Sequence, residues 1–512
     1  MNEKIEKLIK LSGDKNLYQY LALFIVALLW GNASTIFISL PLLEDPPVVQ
    51  YINKTGHLIN DTMNYDMCKW EDNYTIIEHH KYSWISDFHL ECDEYKTGLL
   101  GSMNSFGYMV GSFTFSFVTK QFSTKTTILG SIIAYIIIIL AMNIFRTYYV
   151  ILISMIFTGL LADFINLSSL VLVEETVCKE RRAIFSSIVG IAFTIGAIIY
   201  FPLFAIFERW YVVFYFLAGV FLINGILVHL FLYNSPRVYM KSNQRDTMLS
   251  ILRGMAKING RLDEFNTAIE TTEYKEILES LSNDDTKKDN ETLNEKKKKK
   301  INGWAFFKYP SIRYTFLIFC LMFYVTSGIY SGITLSIKLL GGNIYLNMAF
   351  SYFVESVSSL GAGLLMDTTF GRKVSLLSMY ILAALCLIIN QIVKSENEIF
   401  QLIISLAFRF CISAICVVFY SYTLELYPAP IRSTGFGINM TCGEIGGFTT
   451  SLIVELVKEK YVQIGYITMC SICAFLGFFL KETAGQPMEE TIKEIEEEEL
   501  PQTEVPLKEC DE

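Results

Sequence analysis

The sequence predicts an all-α membrane protein of twelve transmembrane helices in two six-helix halves. Apolar residues make up 52% of the 512-residue chain and its mean hydropathy is +0.39, too greasy for a soluble globular protein. About 20 residues at 1.5 Å each are needed to cross about 30 Å of hydrocarbon, and a window of that length finds twelve candidate spans. Long polar insertions follow only the first and the sixth, so six spans, a break and six more give the layout of related halves.

The spans fall near 18-41, 97-118, 126-145, 148-172, 184-207, 210-233, 312-337, 343-366, 374-394, 399-422, 434-457 and 461-480. The third, fourth, sixth, ninth and twelfth are long and clean, whereas the eleventh is interrupted by Glu444 and its glycines. The first exceeds the apolar core of a cleaved leader and has no small-residue cleavage site, so it reads as a span. The organisation expected is a cytoplasmic N-terminus 1-17, an N-terminal half 18-233, a central loop 234-310, a C-terminal half 311-481 and an acidic tail 482-512.

The formal net charge of -9 sits in ends and loops, and nothing in it suggests nucleic acid. Loop 234-310 holds 15 Lys and Arg, including Lys296 to Lys300, which favours a cytoplasmic placement although long loops obey that rule weakly. Loop 42-96 is opposite in kind, with 4 Lys against 11 Asp or Glu and three glycosylation sequons beginning at Asn53, Asn60 and Asn73. These place it outside the cell or in a lumen, with both termini cytoplasmic and the plasma membrane the expected home. A fourth sequon at Asn290, in the presumed cytoplasmic loop, shows that chance matches occur. Cys68 and Cys92 either form a disulfide in that oxidising compartment or remain free thiols. His79 and His80 lack metal-ligand spacing, and no cysteine pair has a zinc pattern, so no metal is expected. There is no phosphate loop and no hydrolase constellation, so neither an enzyme nor a cofactor is expected.

Four ionisable residues lie inside spans: Asp163, Glu355, Arg409 and Glu444. Each such charge costs a few kcal/mol and is kept where it faces a pore, a partner or a substrate.

Motifs spread along the chain resemble the major facilitator superfamily, and within it the organic cation/anion transporter family. Asn234-Ser235-Pro236-Arg237 and Ala256-Lys257-Ile258-Asn259-Gly260 follow the sixth span, and Gly341 to Asn347 with Glu355 open the eighth. Glu425-Leu426-Tyr427-Pro428 with Arg432-Ser433-Thr434-Gly435, and Glu482 to Pro487 continuing to Glu490-Thr491, complete the set. The resemblance implies the major facilitator fold and transport by alternating access.

Most of these motifs read as gating. Asp367, Phe370, Gly371, Arg372 and Lys373 form the turn between the eighth and ninth spans, where charges pair helices and cap their ends. Glu174 with Arg181 and Arg182, and Glu425 with Arg432, repeat an acid-then-arginine arrangement in both halves; the alternative is ordinary loop charge. The matching turn of the first half, Thr119 to Lys125, has lost the family's aspartate, glycine and first arginine, and Met155 stands where an arginine often opens the fourth span.

Substrate choice rests on the buried charges. Glu444, before Ile445-Gly446-Gly447, occupies a position that in the resembling transporters tends to be acidic in cation carriers, and a carboxylate in a low dielectric attracts a cation. Glu355 and Arg409 are either substrate groups or a structural pair. Asp163 adds negative charge if it points inward. Phe323 and Tyr330, seven residues apart on one face with Tyr324 and Tyr352 nearby, offer aromatic surfaces for a cation or simply packing. The expected function is movement of small organic cations or zwitterions such as carnitine-like compounds. An organic anion carrier, a sugar porter-like carrier and a non-transporting receptor or scaffold are the alternatives.

Overall fold

In a computed structural model the described residues are 2–13, 16–52, 58–62, 68, 74–78, 80–236, 239, 244–272, 274, 310–340, 342–366, 368, 371–393, 398–427 and 432–483. Calls for Asp367, Phe370, Asn53, Asn73, Pro428 and the acidic tail beyond residue 483 fall outside them.

The N-terminal half begins with α1 (Asn2–Ser12), α2 (Leu17–Ile38) and the short α3 (Leu40–Leu43). Three strands follow, β1 (Val48–Ile52), β2 (Leu58–Thr62) and β3 (Tyr74–Glu78), in the antiparallel order β2-β1-β3. After α4 (Trp84–Phe88) come α5 (Glu94–Gln121), α6 (Thr124–Ile144), α7 (Tyr148–Thr176), α8 (Lys179–Ile198), α9 (Phe201–Phe207) and α10 (Trp210–Phe231). The fifth predicted span is thus two helices, and Pro202 in the first turn of α9 sits where a missing N–H costs nothing.

Between the halves lie α11 (Arg245–Ile258) and α12 (Leu262–Ile269). The C-terminal half runs α13 (Pro310–Ser336), a 3-10 turn (Ile337–Leu339), α14 (Ile344–Met366), α15 (Gly371–Val393), α16 (Glu398–Leu426), α17 (Arg432–Leu456) and α18 (Glu459–Gly477).

Among the described residues nine helical segments are long and apolar enough to cross a membrane by length and composition. The other three predicted spans coincide with α5, α17 and α18. Two of these, α5 and α17, are rich in glycine, serine and threonine, which lowers hydropathy but lets helices approach closely. A Cβ on Gly107 of α5 would lie 2.1 Å from the Ile156 carbonyl of α7, and one on Gly446 of α17 would lie 2.0 Å from the Tyr324 carbonyl of α13. Two of the three helices with the weakest membrane signature, α5 and α17, therefore make close backbone approaches inside the bundle.

The described residues of the loop predicted over 42-96 form a folded cap. Cys68 and Cys92 are joined, with Cα atoms 5.8 Å apart. Ser83 anchors the cap by donating to the Asp45 carbonyl at 2.6 Å, and Trp210 Nε1 donates to Asp87 at 2.6 Å. On the opposite face α1, α11 and α12 pack together. Asn259 accepts from the Tyr18 N–H at 2.8 Å and donates to the Ser12 carbonyl at 2.8 Å, tying the central segment to the first span.

Candidate functional site

The intramembrane charges divide into two sets. Glu355 of α14 and Arg409 of α16 form a buried ion pair, with Glu355 Oε2 2.7 Å from Nη2 and 3.1 Å from Nε. Tyr330 of α13 donates to the other carboxylate oxygen at 2.9 Å, and Nη1 reaches Thr334 at 3.4 Å. The guanidinium carbon lies 4.4 Å from the Tyr352 ring centre and 5.4 Å from that of Tyr330. Charge, hydrogen bonds and aromatic faces thus satisfy one another, which is what makes an ion pair tolerable away from water.

Asp163 of α7 is 7% exposed, and its Oδ2 accepts from Ser112 of α5 at 3.0 Å. A Cβ on Gly111 would come within 2.9 Å of it, so the carboxylate packs directly on the α5 backbone. Glu444 of α17 is half-buried and, among the described residues, makes no hydrogen bond or ion pair. The two acids lie within electrostatic reach of each other and of Tyr108. Ring contacts then run from Tyr108 to Phe37 (6.2 Å between centres) and from Phe37 to Tyr330 (6.3 Å). An aromatic line drawn from both halves thereby connects the unpaired acids to the Glu355–Arg409 pair.

The other aromatic candidate sits differently. Phe323 is 6% exposed, among Phe319, Phe419 and Phe436, while Tyr324 donates to or accepts from Thr449 of α17 at 2.9 Å.

The motif residues form a second cluster at the other face. Gly371 has φ +69°, and a Cβ there would meet the Glu482 carboxylate at 2.8 Å, so the turn needs glycine twice over. Glu482 caps α15 by accepting from the N–H groups of Arg372 and Lys373, each at 3.0 Å. Arg372 pairs with Glu425 at 3.1 Å and donates to the Met366 carbonyl at 2.9 Å. All these partners belong to the C-terminal half. In the N-terminal half Asn234 takes the place of the capping acid, accepting from the Lys125 N–H at 3.2 Å, and Lys125 Nζ donates to the carbonyls of His229 and Leu232. Glu174 lies near the end of α7, and Arg181, Arg182 and Arg432 lie in the first turns of α8 and α17.

One cluster escaped the sequence reading. Lys338, in the 3-10 turn, joins Glu455 of α17 at 2.6 Å and Glu44, just after α3, at 3.3 Å. Its signal was that each charge ends a predicted span on the side of loop 42-96. Charges at span ends usually reach for water, so the pattern does not stand out.

Residues 19–451 match the family model described as Major Facilitator Superfamily. The chain belongs to that superfamily. Among curated relatives it is 25% identical over 275 residues to solute carrier family 22 member 6 of Oryctolagus cuniculus, covering 52% of this chain and 46% of that protein. It is 25% identical over 423 residues to organic cation/carnitine transporter 2 of Homo sapiens, covering 80% of this chain and 71% of that protein. The match thus spans about half the length of the first of these relatives. Among solved structures, the inward open conformation of the xylose transporter XylE from E. coli shares the fold at a TM-score of 0.64 and 12% identity, covering 92% of this chain and 98% of that one. The major facilitator fold is accordingly that of this chain, with α2 to α10 and α13 to α18 as its two halves.

Proposed function

We propose that this superfamily member moves small organic cations or zwitterions, carnitine-like compounds among them, across a membrane by alternating access between its halves. The observation that carries the reading is a charge balance. Arg409 is neutralised by Glu355, so it is not available as the anchor an organic anion would need. Glu444 and Asp163 have no cationic partner among the described residues, which leaves this part of the bundle net negative. Uncompensated carboxylates in a low dielectric attract a cation far more strongly than they would in water. Tyr108, Phe37 and Tyr330 add ring faces, each contributing about 0.5–2 kcal/mol toward an organic cation. The relative named organic cation/carnitine transporter 2 is in keeping with the same choice. The cap over residues 42-96, with its disulfide and its sequons, supports an extracytoplasmic face and a plasma-membrane setting.

Uptake of a panel of charged small molecules by proteoliposomes, for the native chain and Glu444→Gln at two membrane potentials, tests this. Cation uptake is expected to fall at least about tenfold in the variant, the loss of roughly 1.4 kcal/mol of attraction. It should also rise with an inside-negative potential, which supplies about 2.3 kcal/mol per charge per 100 mV. Preserved or improved anion uptake without cation uptake would transfer the reading to an anion carrier, and undiminished cation uptake would take Glu444 out of the binding site. Background uptake of every compound with ligand binding intact would favour a receptor.

A further inference from the structure

Three charged side chains are buried where the two halves meet under the cap. Glu44, Lys338 and Glu455 have side chains 1%, 5% and 5% exposed. Glu44 belongs to the N-terminal half, while Lys338 and Glu455 both belong to the C-terminal half. The shorter contact, 2.6 Å, is therefore internal to one half, and the longer one, 3.3 Å, is the link between halves. Two glycines of α5 make room for it. A Cβ on Gly98 would stand 3.0 Å from Glu455 Cβ, and one on Gly101 would stand 3.3 Å from Glu44 Oε1 and 3.5 Å from Leu335. The two carboxylates are held in an apolar setting with one ammonium between them, an arrangement whose stability depends on that ammonium.

We infer that Lys338 pins the capped face shut, bridging Glu44 and Glu455 across the halves, and that breaking its link to Glu44 is the step by which this face opens. The inference rests on the alternating-access reading, but its test needs no substrate and so fails or succeeds independently of uptake. When the halves part, Lys338 stays with Glu455, and Glu44 is left as a bare carboxylate on the N-terminal side of the entrance. Among the described residues the charged groups that act on Glu44 are Lys338 and Glu455, while the adjacent Asp45 belongs to a separate set with Tyr82, Tyr345 and His80. Tyr82 donates to Asp45 at 2.7 Å, His80 stands 3.6 Å from the same carboxylate, and the rings of Tyr82 and Tyr345 meet at 5.9 Å across the halves.

The experiment introduces Ser105→Cys on α5, a position 2% exposed beneath the triad and close to Gly447 of α17. Labelling by an impermeant maleimide added on the capped side is followed in the full chain, with the protein lacking that cysteine as background. Lys338→Met forces two carboxylates together and is expected to raise the labelling rate about tenfold, whereas Glu44→Gln/Lys338→Met/Glu455→Gln removes the repulsion and is expected to return to within about twofold of the parent. Should Lys338→Met fail to reach the membrane, Glu44→Gln is read instead, with a rise of about threefold expected. The inference is overturned if the single variant read labels no faster than the parent. It is equally overturned if the triple variant labels as fast as Lys338→Met, since shape rather than charge would then hold the face.

Discussion

Residues of one chemical type play opposite parts here because their partners differ. Glu355 spends both carboxylate oxygens on Arg409 and Tyr330, while Glu444 spends none on any described residue. Arg409→Met is therefore expected to strip Glu355 of its counter-charge and destabilise the protein by about 3–5 kcal/mol, whereas adding Glu355→Gln should recover much of that loss. Thermal unfolding of the purified variants in detergent decides it: a double variant no more stable than the single one would show that the pair is not the unit. Sequence reasoning could name Glu355 and Arg409 as mutual candidates, since charges in a membrane seek each other. It could not choose between a pair and a substrate site, because that depends on where Thr334 and the rings of Tyr330 and Tyr352 close around the guanidinium.

At the level of the helix, composition and role pull apart. The glycines of α5 and α17 that lower their hydropathy are what allow their close contacts, so these two helices fall short of the apolar signature of a span. The caps are more legible. Asp93, the N-cap of α5, accepts from the Lys96 N–H at 3.0 Å and from its ammonium at 2.7 Å, and these bonds hold its carboxyl below the usual carboxylate range. A depressed acid contributes stability above its unfolded value, near pH 4, and loses it as pH falls through the folded value. Asp93→Ala should therefore lower the melting temperature at pH 7 and lower it less at pH 3, with a cap contribution of about 0.5–2 kcal/mol at the higher pH. Equal losses at both values would mean that the carboxylate charge plays no part. The strands of the cap went unread for a plainer reason. Val48–Ile52 is a five-residue run inside a polar loop, and a 20-residue window averages it away.

Across the molecule the two halves share a plan but not its details. Each closes its second turn of helices with a basic residue and a capping group, Lys373 with Glu482 in one and Lys125 with Asn234 in the other. The substitution of an amide for an acid, readable in the motif as Asn234, lets the first half keep the hydrogen bond without the charge. The contact between the central segment and the first span was not readable. Asn259 was recognisable only as part of a short motif, yet it joins α1, α2 and the segment after α11 through bonds to Ser12, Tyr18 and Gln19. Asn259→Ala is expected to destabilise the protein by roughly 1–3 kcal/mol and to speed proteolysis in 234–310, as limited digestion would register. Unchanged digestion would leave the asparagine a bystander.

The cap has a bearing on how the molecule can be stopped. It is fastened to the N-terminal half through Ser83 and Asp87, yet Tyr82 rests on Tyr345 of the other half. If the halves part as the proposed alternating access requires, an antibody fragment gripping the cap and the start of α14 together would clamp them. It would arrest the proposed transport from outside the substrate path, and no concentration of substrate would displace it.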